Sequence, residues 1–439
     1  KARLVVLGCY QRPGIDYEEV YSPVAPDSTI RMMLSIANYK NWEIQQIDVE
    51  AAFLNAPLQE TVYINVPKGY ELMGNKRRDG IFLKLNKALY GLVQAPKAWM
   101  ETFIKELTKM DCTRSWADPC LLVMKEGEYV VLCITVYVDD CLIVGRKDKV
   151  TDIIGKIAKL YTIKKLGTGK KYLGYEIERD AEKGSLTIRQ NEYIKGVKIG
   201  YGIDPGGMKT PMVCGKPTEL NEEEADIKEY QGVVGTLLYA AKSTRPDIAN
   251  AVRNASQNMA SPNKTHMDQA YRIAQYLVNH AEEGIIYDQK NGLEMTAYVD
   301  SNYADKKENR KSVTGFIIML CGGTIEWKSQ CQRTVSLSST EAEYKALSQC
   351  ASEIIYLTQV LKDFGIDMKT TTVYEDNLAA IKLAENWAST KRTKHIDVRH
   401  HYVRELAEKG IINIKYIRSE EQPADMLTKN LPKATFEKH

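Results

Sequence analysis

The chain lacks any uncharged apolar run of about 18 residues, the length that a membrane-spanning helix needs, so no membrane span is expected. It also lacks a signal peptide, and it opens Lys1-Ala2-Arg3 without a methionine, which reads as a cut from something longer. No two of its nine cysteines are spaced C-x-x-C, and their number is odd. That pattern argues against a disulfide framework or a zinc site and fits reduced, mostly buried thiols inside a cell. Low-complexity segments and internal repeats are missing too. So is a large excess of one charge: 60 Lys and Arg stand against 57 Asp and Glu, for a net charge of +3. Bulk charge therefore does not announce a nucleic-acid binder.

What is present is length and local pattern. With 439 residues and 44% hydrophobic composition, the chain has ample core for about two to four domains. Positive charge is concentrated locally. Lys156, Lys159, Lys164, Lys165, Lys170 and Lys171 form one cluster, and Lys391, Arg392, Lys394, His395, Arg399, His400, His401 and Arg404 form another. One such run is ordinarily a solvated face. Two of them, each close in sequence to acid-bearing strands, bring a track for a phosphate backbone into equal consideration.

The most informative local pattern is the apolar run VVLCITVYV over 130–138, broken by Asp139-Asp140 and resumed as CLIV over 141–144. Two β-rich apolar runs around adjacent acids read as a buried hairpin with paired carboxylates at its tip. Two like charges at such a place are unfavourable unless a divalent cation sits between them. The bland alternative is an Asp-containing turn. A third acid weighs against it: after an amphipathic helix carrying Ile30, Met33, Leu34 and Ala37, residues 42–49 read as a strand ending at Asp48. Three carboxylates on neighbouring strand ends would hold two magnesium ions for an in-line phosphoryl displacement.

A second set of acids lies toward the C-terminus. Residues 293–299 read as a strand ending at Asp300, with further strands around 315–320 and 324–328. Ser338 and Glu341 fit a capping box opening a long helix to about residue 364, closed by Gly365. Glu343 shares a helical face with Ala346, Leu347, Cys350, Ile354, Leu357 and Leu361, whereas Glu341 shares one with Lys345, Ser348 and Ser352. An acid heading the apolar stripe needs an internal partner, and a metal suits it. The strand 370–374 then delivers Glu375-Asp376-Asn377 to a helix start, and Pro423-Ala424-Asp425 opens the last helix. Each acid alone reads as a cap or surface residue. Jointly, Asp300, Glu343, Asp376 and Asp425 read as a carboxylate cluster on a central sheet.

These strings carry a resemblance. KARLV at 1–5, YSPVAP at 21–26, IDVEAAFLNAPL at 47–58, LYGLVQAPKAW at 89–99 and YVDD at 137–140 are followed by LGTGKKYLGYEI at 166–177 and TRPDIA at 244–249. SLSSTEAEY at 336–344, KRTKHIDVRHHY at 391–402 and ADMLTK at 424–429 complete the set. In this order they resemble the reverse transcriptase and ribonuclease H segment of copia-type long-terminal-repeat retrotransposon polyproteins. The resemblance implies an α+β fold: a right-hand polymerase with fingers and palm over 1–180, thumb and connection over 181–292, and an α/β ribonuclease H-like domain over 293–439.

The resemblance also implies roles. Asp48, Asp139 and Asp140 stand where the family's polymerase metal ligands stand, and Asp300, Glu343, Asp376 and Asp425 where its nuclease tetrad stands. Phe53 looks like the aromatic gate against the 2′ position of the incoming nucleotide. Tyr90, Gly91, Gln94 and Pro96 belong to a loop that packs on template and nucleotide, and Leu173, Gly174 and Tyr175 look like the grip on the primer end. Lys164, Lys165, Lys170, Lys171, Asn377, Lys394, His395 and Arg399 would contact nucleic acid. The implied cofactor is Mg2+, two ions per site, with Mn2+ as a substitute. The implied partners are RNA template, DNA or RNA primer, RNA:DNA hybrid, deoxynucleoside triphosphates, other segments of the parent polyprotein and a second copy of the chain, with no membrane. The implied location is the cytoplasm, within virus-like particles.

There are departures from the family pattern. A basic, aromatic fingers segment that normally precedes KARLV is missing, and Val6-Leu7-Gly8-Cys9 stands where a basic residue is common. Lys1 and Arg3 are candidates for the phosphate contacts. No protease, integrase or nucleocapsid motif is present, which fits a domain excised from a polyprotein. Two rivals to the double activity are a catalytically silent nucleic-acid-binding scaffold and a polymerase without active ribonuclease H.

Overall fold

The computed structural model describes residues 4–67, 81–167, 170–204, 206–214, 221–305, 310–385 and 397–439, with side chains of the last segment from residue 401 onward. Lys1, Arg3 and the basic stretch 391–396, with Lys394 and His395, lie outside the described residues, as does the side chain of Arg399. The chain divides into two compact units, one made of 1–30, 42–169 and 363–365, the other of 31–41, 170–362 and 366–439.

In the first unit, regular structure begins with helix α1 (Asp27–Tyr39), whose residues from Arg31 onward fall in the second unit. Strand β1 (Glu43–Val49) follows, then a ribbon of β2 (Tyr63–Asn65) and β3 (Phe82–Lys84), and helix α2 (Ala95–Thr108). Next come β4 (Cys112–Arg114), β5 (Leu121–Glu126), β6 (Tyr129–Tyr137), β7 (Asp140–Gly145), helix α3 (Lys147–Leu160) and β8 (Ile163–Gly167). Six strands form one sheet in the order β4-β5-β6-β7-β1-β8, antiparallel throughout. The middle of β6 is buried on both faces, which is why its sequence is an unbroken apolar run and not an alternation. Helix α3 buries Val150, Ile153, Ile154 and Ile157 at the spacing of one helical face. In α2, Trp99, Phe103 and Leu107 recur every fourth residue and are buried.

The second unit holds two sheets and a helical bundle. Strands β9 (Lys171–Tyr172), β10 (Tyr175–Asp180) and β11 (Ser185–Arg189) lead into helices α4 (Asn191–Tyr201), α5 (Ile227–Ser243), α6 (Ala249–Ser256) and α7 (Lys264–Asn279). The chain then returns as β12 (Ile285–Asp288), giving the sheet order β12-β11-β10-β9. The bundle core is built from Ile194, Tyr230, Val234, Leu237, Val252 and Leu277. Arg245 of the TRPDIA string is buried there, paired at 3.0 and 2.7 Å with Asp247.

The last sheet contains β13 (Met295–Asn302), β14 (Val313–Leu320), β15 (Gly323–Cys331), β16 (Thr371–Glu375) and β17 (Ile412–Tyr416) in the order β15-β14-β13-β16-β17. The first three are antiparallel, while β16 runs parallel to both β13 and β17. Helix α8 (Ser339–Asp363) crosses from β15 toward β16, and α9 (Leu378–Glu385), α10 (Asp397–Glu408) and α11 (Lys433–Lys438) follow. The fold class is thus the expected one, α+β, with an antiparallel six-stranded sheet in the first unit and a mixed five-stranded sheet in the second. Among the described residues no helix is long and apolar enough to cross a membrane, and none of the nine cysteines is in a disulfide.

Four local expectations are corrected. Helix α1 is buried all round, with Arg31, Ser35 and Asn38 as enclosed as Ile30, Met33, Leu34 and Ala37. Its polar residues bond within the second unit: Arg31 Nε donates to Ile325 O at 2.7 Å and Asn38 Nδ2 to Gly184 O at 3.0 Å. Asp300 lies inside β13, which runs two residues past it. The hairpin turn is Val138-Asp139, so Asp140 is the first residue of β7. Asp425 sits in a 3-10 turn over Pro423–Leu427, not on the last α-helix.

Candidate active sites

The register of the six-stranded sheet brings Asp48 and Asp140 face to face as cross-strand partners at the ends of β1 and β7. Asp139 is in the adjoining turn. Val138, at its first position, has φ +59°, a conformation that a β-branched residue adopts only when its surroundings hold it. Trp99 Nε1 donates to Val138 O at 2.6 Å and Val49 N to Asp139 O at 2.9 Å, so α2 and β1 hold both ends of the turn. All three acids are half-buried. Burial foremost raises the Asp140 carboxyl; the Gln46 amide, donating at 3.4 Å, opposes this, and the charges of Asp139 and Asp48 add to it. Three acids balanced by a neutral amide fit a cation site.

Around this tip, Phe53 lies in a 3-10 turn over Ala52–Asn55, half-buried, with its ring centroid 4.7 Å from that of Tyr90. Gly91 has φ +91°, and a β-carbon there would fall 2.0 Å from Val6 O, so the close approach of the 4–8 segment demands glycine. Pro96 stands in the first turn of α2. Gln94 is buried and spent on structure: its amide donates to Asp16 O at 3.0 Å and its carbonyl accepts from Gln11 Nε2 at 3.0 Å. Lys164, across from Asp48 on β8, pairs with Glu50 at 3.1 Å, and Lys165 is exposed beside it.

In the second unit, Leu173 and Gly174 make the turn between β9 and β10, both with positive φ. Tyr239 Oη on α5 donates to Leu173 O at 3.0 Å and would lie 2.1 Å from a β-carbon at Gly174. Tyr175 points into the core, so Leu173 and Gly174 are the accessible part of this trio. Lys170 and Lys171 are exposed just before it.

The mixed sheet builds the second acidic group. Asp300 comes from β13, Glu343 from the second turn of α8 and Asp376 from the end of β16; one ligand oxygen from each lies within 4.8 Å of the others. Among the described residues this is the one group that close. Asp300 is fully buried, and its Oδ2 accepts from Thr428 Oγ1 while its Oδ1 faces Lys429 Nζ at 3.2 Å. Asp376 accepts from Ser419 Oγ at 2.6 Å. Glu343 Oε2 is buried without a hydrogen-bond donor, and burial, then the charges of Glu375, Asp300 and Asp376, hold its carboxyl well above the usual range. Asp425 lies outside the trio. Lys429 pairs with it at 2.9 Å, and burial together with Asp300 pushes its carboxyl up to about 6. An orphaned carboxylate oxygen facing two further acids fits a divalent ion.

The reverse transcriptase (RNA-dependent DNA polymerase) family matches residues 1–213. The transposon Ty5-1 protein of Saccharomyces cerevisiae is 30% identical over 313 residues, covering 70% of this chain and 100% of that protein. The chain belongs to the copia-type retrotransposon reverse transcriptase family. All of it aligns with the retrovirus-related Pol polyprotein from transposon TNT 1-94 of Nicotiana tabacum, at 36% identity and 33% of that polyprotein. The one from transposon RE1 of Arabidopsis thaliana aligns at 35% identity, again over 100% of this chain and 30% of the relative. The chain spans about a third of the length of these plant polyproteins.

Within this member of the family, sequence reasoning missed several residues. Glu375 is fully enclosed, with Oε2 lacking a donor and its carboxyl raised by burial first. Strand alternation held the signal, because Thr371, Val373 and Glu375 share the buried face of β16. Lys429 stands four residues after Asp425, a helical spacing that was open to view. Tyr239 and Trp99 act through folds of the chain that no local pattern reveals. Two residues singled out for nucleic acid are already engaged in structure. Asn377 Oδ1 caps α9, accepting from Ala379 N at 3.0 Å and Ala380 N at 3.1 Å, and Arg404 is buried beside His401 at 2.6 Å.

Proposed function

We propose that the chain is an RNA-directed DNA polymerase that also cleaves the RNA strand of RNA:DNA hybrids. The observation that carries this reading is the apposition of Asp48 and Asp140 beside the Asp139 turn in a chain of the reverse transcriptase family. Asp48, Asp139 and Asp140 would hold magnesium in the first unit, and Asp300, Glu343 and Asp376, with Asp425, in the second. Bound there, such ions supply charge stabilisation and activate an attacking oxygen for phosphoryl displacement. The protein's own part is placement. The turn held by Trp99 and Val49 fixes where Asp139 points, and the sheet register fixes Asp48 against Asp140.

Phe53, half-buried against Tyr90, offers a ring face that would crowd a 2′-hydroxyl on an incoming nucleotide and so select deoxynucleotides by exclusion. The Leu173–Gly174 turn would steady the primer end. Lys165, Lys170 and Lys171, exposed, would meet phosphates of template and primer and give binding that weakens with salt. Recognition of RNA in the second site would come through its 2′-hydroxyls. Work inside virus-like particles, with the remaining polyprotein segments as partners, fits the family. Primer extension on an RNA template with magnesium, run beside cleavage of a labelled RNA:DNA hybrid, tests both halves; absence of both from a folded protein would favour the silent scaffold.

A further inference from the structure

Lys429 occupies a place that the reading above does not use. Its ammonium lies 3.2 Å from Asp300 Oδ1 and 2.9 Å from Asp425 Oδ1. The other oxygen of Asp300, Oδ2, accepts from Thr428. The backbone around Lys429 is pinned: its N–H donates to Asp425 O at 2.9 Å, its carbonyl accepts from Asn250 at 3.0 Å, and Thr428 O accepts from Asn302 at 3.3 Å. The side chain is not pinned in the same way. It is 35% exposed, against 1% for Asp300 and 11% for Asp425, and its flexible four-carbon stem allows the ammonium to swing outward while the backbone stays in place.

We propose that Lys429 is a resident cation of the nuclease site, holding Asp300 and Asp425 together without metal and yielding its place to any divalent ion that draws on Asp425. The inference rests on reading Asp300, Glu343 and Asp376 as a metal site. Lys429 engages one oxygen of Asp300 and one of Asp425, and an ion joining Asp425 to that trio would draw on the same two carboxylates. The two cations compete for them. An ion held chiefly by Glu343 and Asp376, to which Lys429 makes no ion pair, meets less competition than one that also draws on Asp425, so the site should fill in two stages, the stage involving Asp425 being the weaker. Lys429 thereby also offsets the charge of a buried acidic group when no metal is bound.

The test is a titration of the 439-residue chain carrying D139N and D140N, which removes two of the carboxylates in the first unit, with Mn2+ alone, reading free Mn2+ by electron paramagnetic resonance. K429M should tighten the weaker class of binding by tenfold or more, K429R should leave it near the parent, and K429M should melt at a lower temperature than the parent in EDTA but not in saturating Mn2+. In a D425N background, K429M should no longer change the affinity of that stage, because the contested carboxylate has gone. Unchanged or weaker Mn2+ binding by K429M in the Asp425 protein would overturn the role of Lys429 alone. A parent that binds no Mn2+ would overturn the metal-site reading with it.

Discussion

Glu341 and Glu343 stand two residues apart on one helix and differ in what answers their charge. Glu341 pairs with Lys345 at 2.7 Å and accepts from Leu337 N at 2.7 Å, while Glu343 faces other acids. Glu343→Gln should therefore remove hybrid cleavage while changing stability little. Glu341→Gln should leave cleavage chemistry in place but destabilise the fold by roughly 3 kcal/mol, because both members of its pair are only 6% exposed and Lys345 would be left buried without its counter-charge. Denaturant unfolding of the two variants beside a hybrid-cleavage assay checks this. The larger cost was not legible in the sequence, where Glu341 reads as a capping residue alone. Ser338 Oγ does accept from Glu341 N at 3.1 Å, but Lys345 and Ser348 are buried on what reads as the polar face.

Asp425 gives a residue-scale dependence on pH. Its carboxyl is pushed up to about 6 in the fold from 3.8, so the folded state favours the protonated form. Stability from this group is full below the unfolded value and is lost as pH rises through about 6. In EDTA, the stability of the parent relative to D425N should fall by about 3 kcal/mol between pH 3.5 and pH 7. Saturating Mn2+ should erase most of that fall. Urea unfolding of both proteins at the two pH values is the measurement, and a difference that stays level or rises with pH would contradict it.

At the scale of elements, the turn between β9 and β10 shows what a sequence conveys and what it withholds. Gly174 stands in the turn after a two-residue strand, and its φ of +83° draws on glycine's conformational freedom, which the glycine itself made legible. The brace does not show, because Tyr239 is 66 residues away from Leu173. Gly174→Ala must strain the backbone and push against the Tyr239 hydroxyl, so it should cost about 1–3 kcal/mol. It should also raise the primer concentration needed for half-maximal extension several-fold, with less effect on hybrid cleavage. Steady-state extension at varied primer concentration reads this directly.

The strands bearing Asp48, Asp139 and Asp140 were legible because runs of β-branched residues end on acids there. The placement of Asp300 inside β13 was not, since the strand continues through Ser301 and Asn302, polar residues that carry no apolar pattern. Helix α1 is a further case: its apolar residues suggested one buried face. Full enclosure depends on Arg31, whose guanidinium lies 4.1 Å over the Trp327 ring and bonds to the Ile325 carbonyl, 294 residues on.

At the scale of the whole molecule, the two acidic groups belong to different compact units, Asp48, Asp139 and Asp140 to the first and Asp300, Glu343, Asp376 and Asp425 to the second. A change of charge at one should leave the other's chemistry in place. The central claim is that the chain carries two separate phosphoryl-transfer sites, and the most direct test is to measure primer extension and hybrid cleavage together for the parent, D140N and E343Q, all with magnesium. The account predicts that D140N loses extension by roughly a thousandfold or more while keeping cleavage, and that E343Q does the reverse. A proportional loss of both activities in either variant, with the protein still folded, would contradict it.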